Sequence, residues 1–317
     1  MKKIFYLFFA TALAISCNSD DDSGSQTIIA PSVTSFNNLI NQAKNSRTQT
    51  QQFNLTAGGQ IIYTSPKGVI LTIDQSCLVL NGQEVTGNVT LKYTEVFDTA
   101  DMALTSISTM GFNSLGDKAL LKSGGAFNIE LYKNNALIQT TCNYSLQVPV
   151  NLTGGYDTEM VLWNGEINDD GQVEWTQNED GAIERGNNSY YAWLGDFGWV
   201  NIDRFFNDPR PKTTVMVKVP QLYSPQNSNM FFAFNDVPNS IGTMDVFTGA
   251  TNSYSEHYGY VPIGIEIHLI FITEQNGSFK YGIKSGIVTA SGNFEFTENE
   301  LTTATELEIT EAIENLF

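Results

Sequence analysis

The stretch Gly87-Asn88-Val89-Thr90-Leu91-Lys92-Tyr93 alternates between apolar and polar side chains from Val89 onward. Successive side chains of an extended chain point to opposite sides, so Val89, Leu91 and Tyr93 share one side and the polar residues between them share the other. A period of two over such a length is typical of a β-strand with one face in a core and one face in solvent. The stretch therefore predicts a half-buried strand.

The same period continues along the chain from Gln51 onward. Short strand-like runs are separated by turn signals such as Asn81-Gly82, Gly124-Gly125 and Gly154-Gly155. Many short strands at this spacing favour a β-sandwich over a parallel sheet, which would need helices between its strands. The predicted strands are Gln60–Tyr63, Val69–Ile73, Asn88–Phe97, Thr105–Met110, Ala126–Tyr132, Leu137–Val148, Glu159–Trp163, Tyr190–Leu194, Trp199–Phe205, Thr213–Val219, Asn229–Asn235, Gly242–Phe247, Pro262–Thr273 and Phe279–Ile287.

The polar, turn-rich segment 177–188 predicts a linker between two β-sandwich-like domains. We place the first β-sandwich domain at 48–178 and the second β domain at 189–317, so the fold class is mainly β. One short helix is predicted at each end of the folded part, because apolar residues recur there at helical spacing behind capping residues. These residues are Phe36, Leu39, Ile40 and Ala43 after Ser32, Thr34 or Ser35, and Ile309, Ala312, Ile313 and Leu316 after Thr303 and Thr305.

The amino-terminal residues have the pattern of an export signal. Lys2 and Lys3 precede an apolar run, Ile4 to Ile15, of 12 residues. A membrane-spanning helix needs about 20 apolar residues, so this run is too short to span a bilayer. Small residues follow it, which favours a cleavable signal peptide over residues 1–16.

The segment Ala14-Ile15-Ser16-Cys17 resembles the lipobox of bacterial lipoproteins, with Ala14 where leucine is commoner. The acidic block Ser19, Asp20, Asp21 and Asp22 resembles the surface-export signal of Bacteroidota lipoproteins, flavobacterial ones in particular. The resemblance implies that Cys17 is lipidated and that the protein is anchored to the outer membrane facing the cell exterior. Residues 17–47 then comprise the lipidated cysteine, an acidic tether and the first short helix. A free cysteine beside an ordinary cleavage site, and an acidic block that is only a solvated tether, remain alternatives.

The composition sets limits on the partners of the chain. Its 317 residues carry a formal net charge of −18, which repels phosphate backbones and excludes nucleic acid as a partner. Aromatic residues make up 12% and charged residues 16%, a profile typical of extracellular β-proteins. Besides Cys17 the chain contains Cys77 and Cys142, which form either a disulfide or two free buried thiols.

Two further resemblances concern the fold alone. Five segments between about Thr48 and Trp175 resemble a domain of Bacteroidota surface proteins that is loosely similar to the ZU5-type β-sandwich. They are Gly68–Ile73, Gly87–Leu91, Leu121–Phe127, Val148-Pro149 and Met160–Trp163. Val261-Pro262-Ile263-Gly264, running into Ile265–Ile272, resembles a strand entry in transthyretin-like or carboxypeptidase-regulatory-like sandwiches. Both resemblances rest on turn glycines and core positions and imply no active site.

The densest aromatic stretch, 190–204, contains the strongest candidate site. On a strand, Trp199, Asn201 and Asp203 share one face, and Trp193 lies just before them. An exposed indole beside an amide and a carboxylate suits a sugar, because the ring stacks on the apolar face of the pyranose and the polar groups bind its hydroxyls. The alternative is that both tryptophans are core residues, as large aromatic side chains usually are.

Weaker patterns point to other chemistry. Glu266, His268 and His257 would make a two-histidine metal site, and 168–171 offers acidic oxygens for calcium, but a strand and a hairpin turn explain these patterns better. We therefore predict no metal and no cofactor. The function that we favour is non-catalytic binding or assembly at the cell surface, with a glycan or a surface protein as the partner. The rival is a carbohydrate-active or other hydrolase with paired carboxylates.

Overall fold

The computed structural model of the protein describes residues 30–169, 171–186 and 188–317. The predicted signal segment, Cys17 and the acidic block Ser19, Asp20, Asp21 and Asp22 lie outside the described residues. The described chain is mainly β, as predicted, with several sheets and three short α-helices. None of the helices in these three ranges is long and apolar enough to cross a membrane.

The elements follow one another in two groups. The first group is α1 (Val33–Arg47), β1 (Thr48–Leu55), β2 (Gln60–Thr64), β3 (Ile70–Asp74), β4 (Leu78–Leu80), β5 (Gln83–Glu84), β6 (Gly87–Val96), α2 (Thr99–Thr105), β7 (Met110–Phe112), β8 (Lys118–Lys133), β9 (Ala136–Leu137), β10 (Gln139–Thr140), β11 (Tyr144–Pro149), β12 (Val161–Ile167), β13 (Val173–Gln177), β14 (Ala182–Gly186), β15 (Ser189–Leu194) and β16 (Gly198–Phe205). The second group is β17 (Lys212–Lys218), β18 (Ser228–Phe234), β19 (Gly242–Thr243), β20 (Val246–Thr248), β21 (Ser253–Pro262), β22 (Glu266–Gln275), β23 (Ser278–Ile287), β24 (Asn293–Glu295), β25 (Thr302–Ala304) and α3 (Glu306–Glu314).

The first half of the chain is a sandwich of two sheets. Sheet A runs β1-β6-β8-β16-β12-β13-β7, with β9 paired to β8, and sheet B runs β14-β15-β11-β3-β2. The core between them takes alternate residues of each strand. Val89, Leu91 and Tyr93 come from β6, and Tyr190 and Leu194 come from β15. The alternation in the stretch 87–93 therefore marks a strand of sheet A with its apolar face in the core, as predicted.

The second half is another sandwich. Sheet C runs β19-β18-β22-β23-β25, and sheet D runs β20-β21-β17-β24. Val215 and Val217 of sheet D pack against Phe232, Phe271 and other residues of sheet C. The strand β22 is apolar on both faces, since its second face, with Ile270 and Ile272, packs toward the first half.

The two sandwiches share a third core that contains the three helices. Trp163 and Trp175 of sheet A, Phe231 of sheet C, Phe36 of α1 and Ile313 of α3 all belong to this cluster. Backbone hydrogen bonds also cross between the halves, for example from Thr109 N–H to Ile241 O at 2.8 Å. The face of sheet A that is turned away from sheet B is therefore covered by helices and by the second half.

The helix ends follow the capping residues in the sequence. Ser32 caps α1 by accepting a hydrogen bond from Ser35 N–H. Thr305 and Glu308 form a capping box at the start of α3, in which each side chain bonds the backbone of the other residue. The guanidinium of Arg47 joins the helices, with ion pairs to Asp101 of α2 at 2.6 Å and to Glu306 of α3 at 3.1 Å. Both predicted terminal helices are present.

The division between the sheets differs from the predicted boundary. The segment 177–188 contains the edge strand β14, which pairs with β15. The strands β15 and β16, predicted to open the second domain, pair with β11 of sheet B and with β8 and β12 of sheet A. The sheets therefore divide after β16. The sequence suggested a linker because this edge strand exposes Glu184 and Arg185 and packs only Ile183 against the core, so it has no apolar alternation.

Two local predictions are wrong. The segment predicted as a strand at Thr105–Met110 instead contains the last residue of α2, the connection after it and the first residue of β7. The helix α2 buries apolar side chains around most of its circumference and so lacks a helical period. The predicted turn at Gly124-Gly125 lies inside the long strand β8. Here two residues face one on β16, because the register shifts between Asn201 and Asp203. The two glycines form a β-bulge, and Gly125 has a φ of +117°.

Cys77 and Cys142 form a disulfide, with their Cα atoms 5.4 Å apart. Cys77 lies just before β4 and Cys142 just after β10, and these two strands pair with each other. The bridge links positions 65 residues apart in the sequence. Of the two alternatives for these cysteines, the structure shows the disulfide.

Candidate binding face

Trp199, Asn201 and Asp203 share one face of β16, as predicted, but this face is the one buried between the two halves. Asn201 and Asp203 have no exposed surface. Trp199 is only partly exposed, and its ring meets the buried ring of Trp175 edge to face at 6.3 Å. A sugar cannot reach the amide and the carboxylate, so the predicted site with these three residues is wrong.

The two buried polar residues instead stabilise the bulge in β8. Asn201 Nδ2 donates to Asp203 Oδ2 at 2.6 Å, and Gly124 N–H donates to Asp203 Oδ1 at 3.1 Å. Burial raises the pKa of Asp203 well above its usual range, although these hydrogen bonds act to lower it. Trp163 Nε1 donates to the backbone oxygen of Asp203 at 3.0 Å. The polar pair satisfies backbone groups that the bulge leaves unpaired.

Trp193 lies apart from this cluster, on the solvent face of sheet B. The neighbouring residues Tyr190, Ala192 and Leu194 point into the first core, so the side chains of Tyr191 and Trp193 point outward. Both are partly exposed. Their rings lie 6.4 Å apart with planes at 27° to each other. Sheet B thus presents two nearly parallel aromatic rings along one strand.

The strand register places polar side chains beside these rings. Gln147 of β11 is opposite Tyr191, and Ser145 is opposite Trp193. One strand further on, Thr72 of β3 is opposite Ser145. Gln147 Nε2 donates to Ser189 Oγ at 3.2 Å, which orients its amide beside the aromatic pair.

The edges of this face add one acid and apolar surface. On the side of β15 away from β11, Glu184 of β14 is opposite Tyr191. On the other edge, Ile62 of β2 is 59% exposed. We call the outward side chains of sheet B around Tyr191 and Trp193 the aromatic face. It combines rings, amide and hydroxyl groups on a five-stranded sheet.

The histidines are not arranged for metal binding. His268 Nδ1 is 2.7 Å from Ser285 Oγ, and its ring contacts Phe317 edge to face. Across the described ranges, no group of three histidine, cysteine or acidic side chains is placed to hold a metal ion. In the segment 168–171, β12 and β13 form a hairpin whose turn includes Asn168 N–H bonded to Gln172 O at 2.9 Å, and Asp170 lies outside the described residues.

A cleft between the halves contains two acids that share one lysine. Lys118 Nζ lies 2.9 Å from Glu174 Oε1 and 3.2 Å from Asp245 Oδ2. Both acids line a cleft of about 610 Å³. Burial acts to raise the pKa of Glu174, but hydrogen bonds from Lys118 and Asn168 outweigh it, and the net pKa is lowered. A general acid for glycoside hydrolysis needs a raised pKa, so Glu174 is held as a carboxylate unsuited to that role.

The role of Tyr191 was not predicted from the sequence. The signal was present, since residues 190–194 alternate between the core residues Tyr190, Ala192 and Leu194 and the outward pair. The tyrosine beside Trp193 is the second ring of the aromatic face, whereas Trp199 belongs to a different sheet. Comparison with protein-family models and with curated proteins finds no match to this chain.

Proposed function

We propose that this protein is a lipid-anchored, non-catalytic β-protein of the outer membrane that binds glycans at the cell exterior through its aromatic face. The observation that carries the proposal is the outward pair Tyr191 and Trp193, whose rings lie nearly parallel on one strand of sheet B. Aromatic rings offer sugars apolar contact area at a small cost in conformational entropy, and the adjoining amide and hydroxyl groups can bind sugar hydroxyls.

The electrostatics favour an uncharged glycan. The chain has a formal net charge of −18, and Glu184 stands at the edge of the aromatic face. A polysaccharide rich in carboxylate or sulfate groups would be repelled by this charge, most strongly at low ionic strength. Neutral polysaccharides meet no such repulsion, so they are the proposed ligand class.

The site of anchoring is proposed from the amino-terminal sequence. Lipidation of Cys17 would place the fold at the membrane, and the acidic residues Asp20, Asp21 and Asp22 would direct it outward. Buried acyl chains contribute about 0.8 kcal/mol per CH2 group, so several chains hold a protein firmly. A surface protein on such an anchor would meet glycans outside the cell.

Electrophoresis of the full chain through gels that contain single polysaccharides tests the proposed ligand. We expect retardation by at least one neutral polysaccharide and none by acidic ones. Tyr191→Ala should remove most of the retardation, because it takes away one of the two rings. Phe317→Ala is the matched control: this side chain is 42% exposed but packs on His268 in the second half, so its loss should leave retardation unchanged. Retardation that Tyr191→Ala leaves intact would refute the proposed face.

A further inference from the structure

A second candidate site lies at the junction of the halves, away from the aromatic face. A cavity of about 250 Å³ opens where the chain passes from β16 to β17. Its walls are mainly apolar, and Phe205, Phe206, Phe232 and Phe234 supply four aromatic rings. The rings of Phe206 and Phe234 lie 5.4 Å apart. Apolar cavities of about 150 Å³ accept a benzene ring, so this one has room for a small ring-bearing molecule.

One acidic side chain lines this cavity. Glu256 is 1% exposed. Its oxygens accept hydrogen bonds from Gly259 N–H at 3.2 Å and Tyr260 N–H at 3.4 Å. Within the described residues no lysine, arginine or histidine forms an ion pair with it. Burial raises the pKa of Glu256 to about 7, and the charge of the nearby Asp245 adds to this effect.

The hydrogen bonds from Gly259 and Tyr260 explain part of the role of Glu256. The strand β21 bulges opposite β17, where the register shifts between Thr213 and Val215, and the carboxylate satisfies backbone groups of that bulge. Each carboxylate oxygen accepts one of these two bonds. A carboxylate has about four acceptor positions, so positions remain for a donor in the cavity.

We propose that this cavity binds a small organic cation, an ammonium group carried on an aromatic or aliphatic body. Three properties of the site favour this class. The carboxylate of Glu256 has no ion-pair partner among the described residues, aromatic faces attract cations, and apolar walls suit the body of such a molecule. Lys212 also lines the cavity without forming an ion pair with Glu256, and its Nζ lies 5.8 Å from the centre of the Tyr260 ring, so one cation already lies against an aromatic ring there.

The proposal is independent of glycan binding, because the residues involved belong to different sheets. It is tested by calorimetric titration of the full chain at pH 8, where Glu256 is mostly ionised. The probes are 2-phenylethylammonium and its neutral counterpart 2-phenylethanol. We expect the ammonium to bind at least about tenfold more tightly than the alcohol, because both probes can donate a hydrogen bond to the carboxylate but only the ammonium adds the attraction of an opposite charge.

Variants separate the site from general attraction to an acidic protein. Glu256→Gln should remove the preference for the ammonium, whereas Glu266→Gln, at an exposed position of β22, should keep it. Phe206→Leu keeps an apolar wall but removes a partly exposed ring, so it should weaken ammonium binding even if Glu256→Gln fails to fold. Equal affinity for the two probes, no binding of either up to about 10 mM, a preference unchanged in Glu256→Gln, or an ammonium affinity unchanged in Phe206→Leu would overturn the proposal.

Discussion

Two buried carboxyl groups make the stability of the protein depend on pH. Burial raises the pKa of Asp203 and brings that of Glu256 from 4.5 to about 7. A group whose pKa is higher in the folded state than in the unfolded state binds more protons in the folded state at any pH between these two values. The free energy of unfolding therefore falls as the pH rises through this range, which for Glu256 extends from about 4.5 to about 7.

Glu256→Gln tests this dependence. The amide keeps an acceptor oxygen for the bulge and cannot ionise, so the variant should gain stability relative to the wild type as the pH rises from 4.5 to 7. The relative gain over this range should be up to about 3 kcal/mol. Urea unfolding followed by circular dichroism at several pH values measures it. A difference between variant and wild type that stays constant across this range would show that the pKa of Glu256 is not raised.

Residue patterns predicted which side chains share a face but not what covers the face. Trp199, Asn201 and Asp203 alternate on a strand in the way that a binding surface would, and they do lie on one face of β16. That face is buried by the helices and by the second half. The local alternation of residues cannot show that a second sandwich, formed by a distant part of the chain, covers this face of sheet A. The same periodicity placed Trp193 two residues from a second outward ring, and this pair remains exposed.

At the bulge in β8, the backbone lies close to the neighbouring strand β16. A Cβ atom on Gly124 would lie 2.6 Å from the backbone oxygen of Ile202, which cannot move aside as a flexible side chain can. Gly124→Ala should therefore lower the free energy of unfolding by about 2–3 kcal/mol. Gly186 also lies in a strand, but a Cβ atom there meets nothing within 4 Å.

Gly186→Ala should accordingly change the free energy of unfolding by less than about 0.5 kcal/mol. Thermal and urea unfolding of the two variants side by side check this contrast. If both alanine variants were as stable as the wild type, this would contradict the conclusion that β8 and β16 lie too close at the bulge to accept a Cβ atom.

The disulfide is the second constraint at the level of elements. It closes a loop between positions 65 residues apart, and in the chain-entropy model such a loop contributes about 4 kcal/mol. The variant with Cys77→Ser and Cys142→Ser should lose stability of this order. A reductant should destabilise the wild type to a similar extent and leave the double variant unaffected. If the reductant also destabilised the double variant, the effect of the reductant on stability would not arise from the disulfide between Cys77 and Cys142.

Strands with one solvent face and capped helices were predictable from the sequence, because their patterns are local. The capping box at Thr305 and the alternation around Leu91 are examples. Elements with no distinct solvent face were not predictable. The helix α2 is almost fully buried, and the edge strand β14 is mostly exposed, so neither shows the period of its type. The resemblance of the second half to transthyretin-like sandwiches stays a prediction.

At the scale of the whole molecule, the proposed anchoring at the membrane depends on residues before the fold. Cys17→Ala should move the protein from the membrane fraction to the soluble fraction, because the acyl chains would be lost. A variant that stayed in the membrane fraction would contradict the proposed anchor. Replacing Asp20, Asp21 and Asp22 by alanine should leave the protein anchored but shield it from protease added to intact cells. Unchanged protease sensitivity would contradict the export role of the acidic block.

Trp193 and Trp199 occupy different places in the fold, so we expect their substitutions to have different effects on binding and stability. Trp193 stands beside Tyr191 on the aromatic face, and Trp199 packs on Trp175 in the core that joins the halves. Trp193→Ala should therefore abolish glycan binding and change stability little. Trp199→Ala should lower stability by about 3 kcal/mol or more and, while folded, leave binding intact.

The most direct measurement is the affinity of both variants and the wild type for the neutral polysaccharide that retards the full chain. Calorimetric titration should be run well below the unfolding temperature of each protein. Loss of binding in Trp193→Ala with retention in folded Trp199→Ala would support the aromatic face of sheet B as the glycan site. Retained binding in Trp193→Ala, or loss confined to Trp199→Ala, would contradict it.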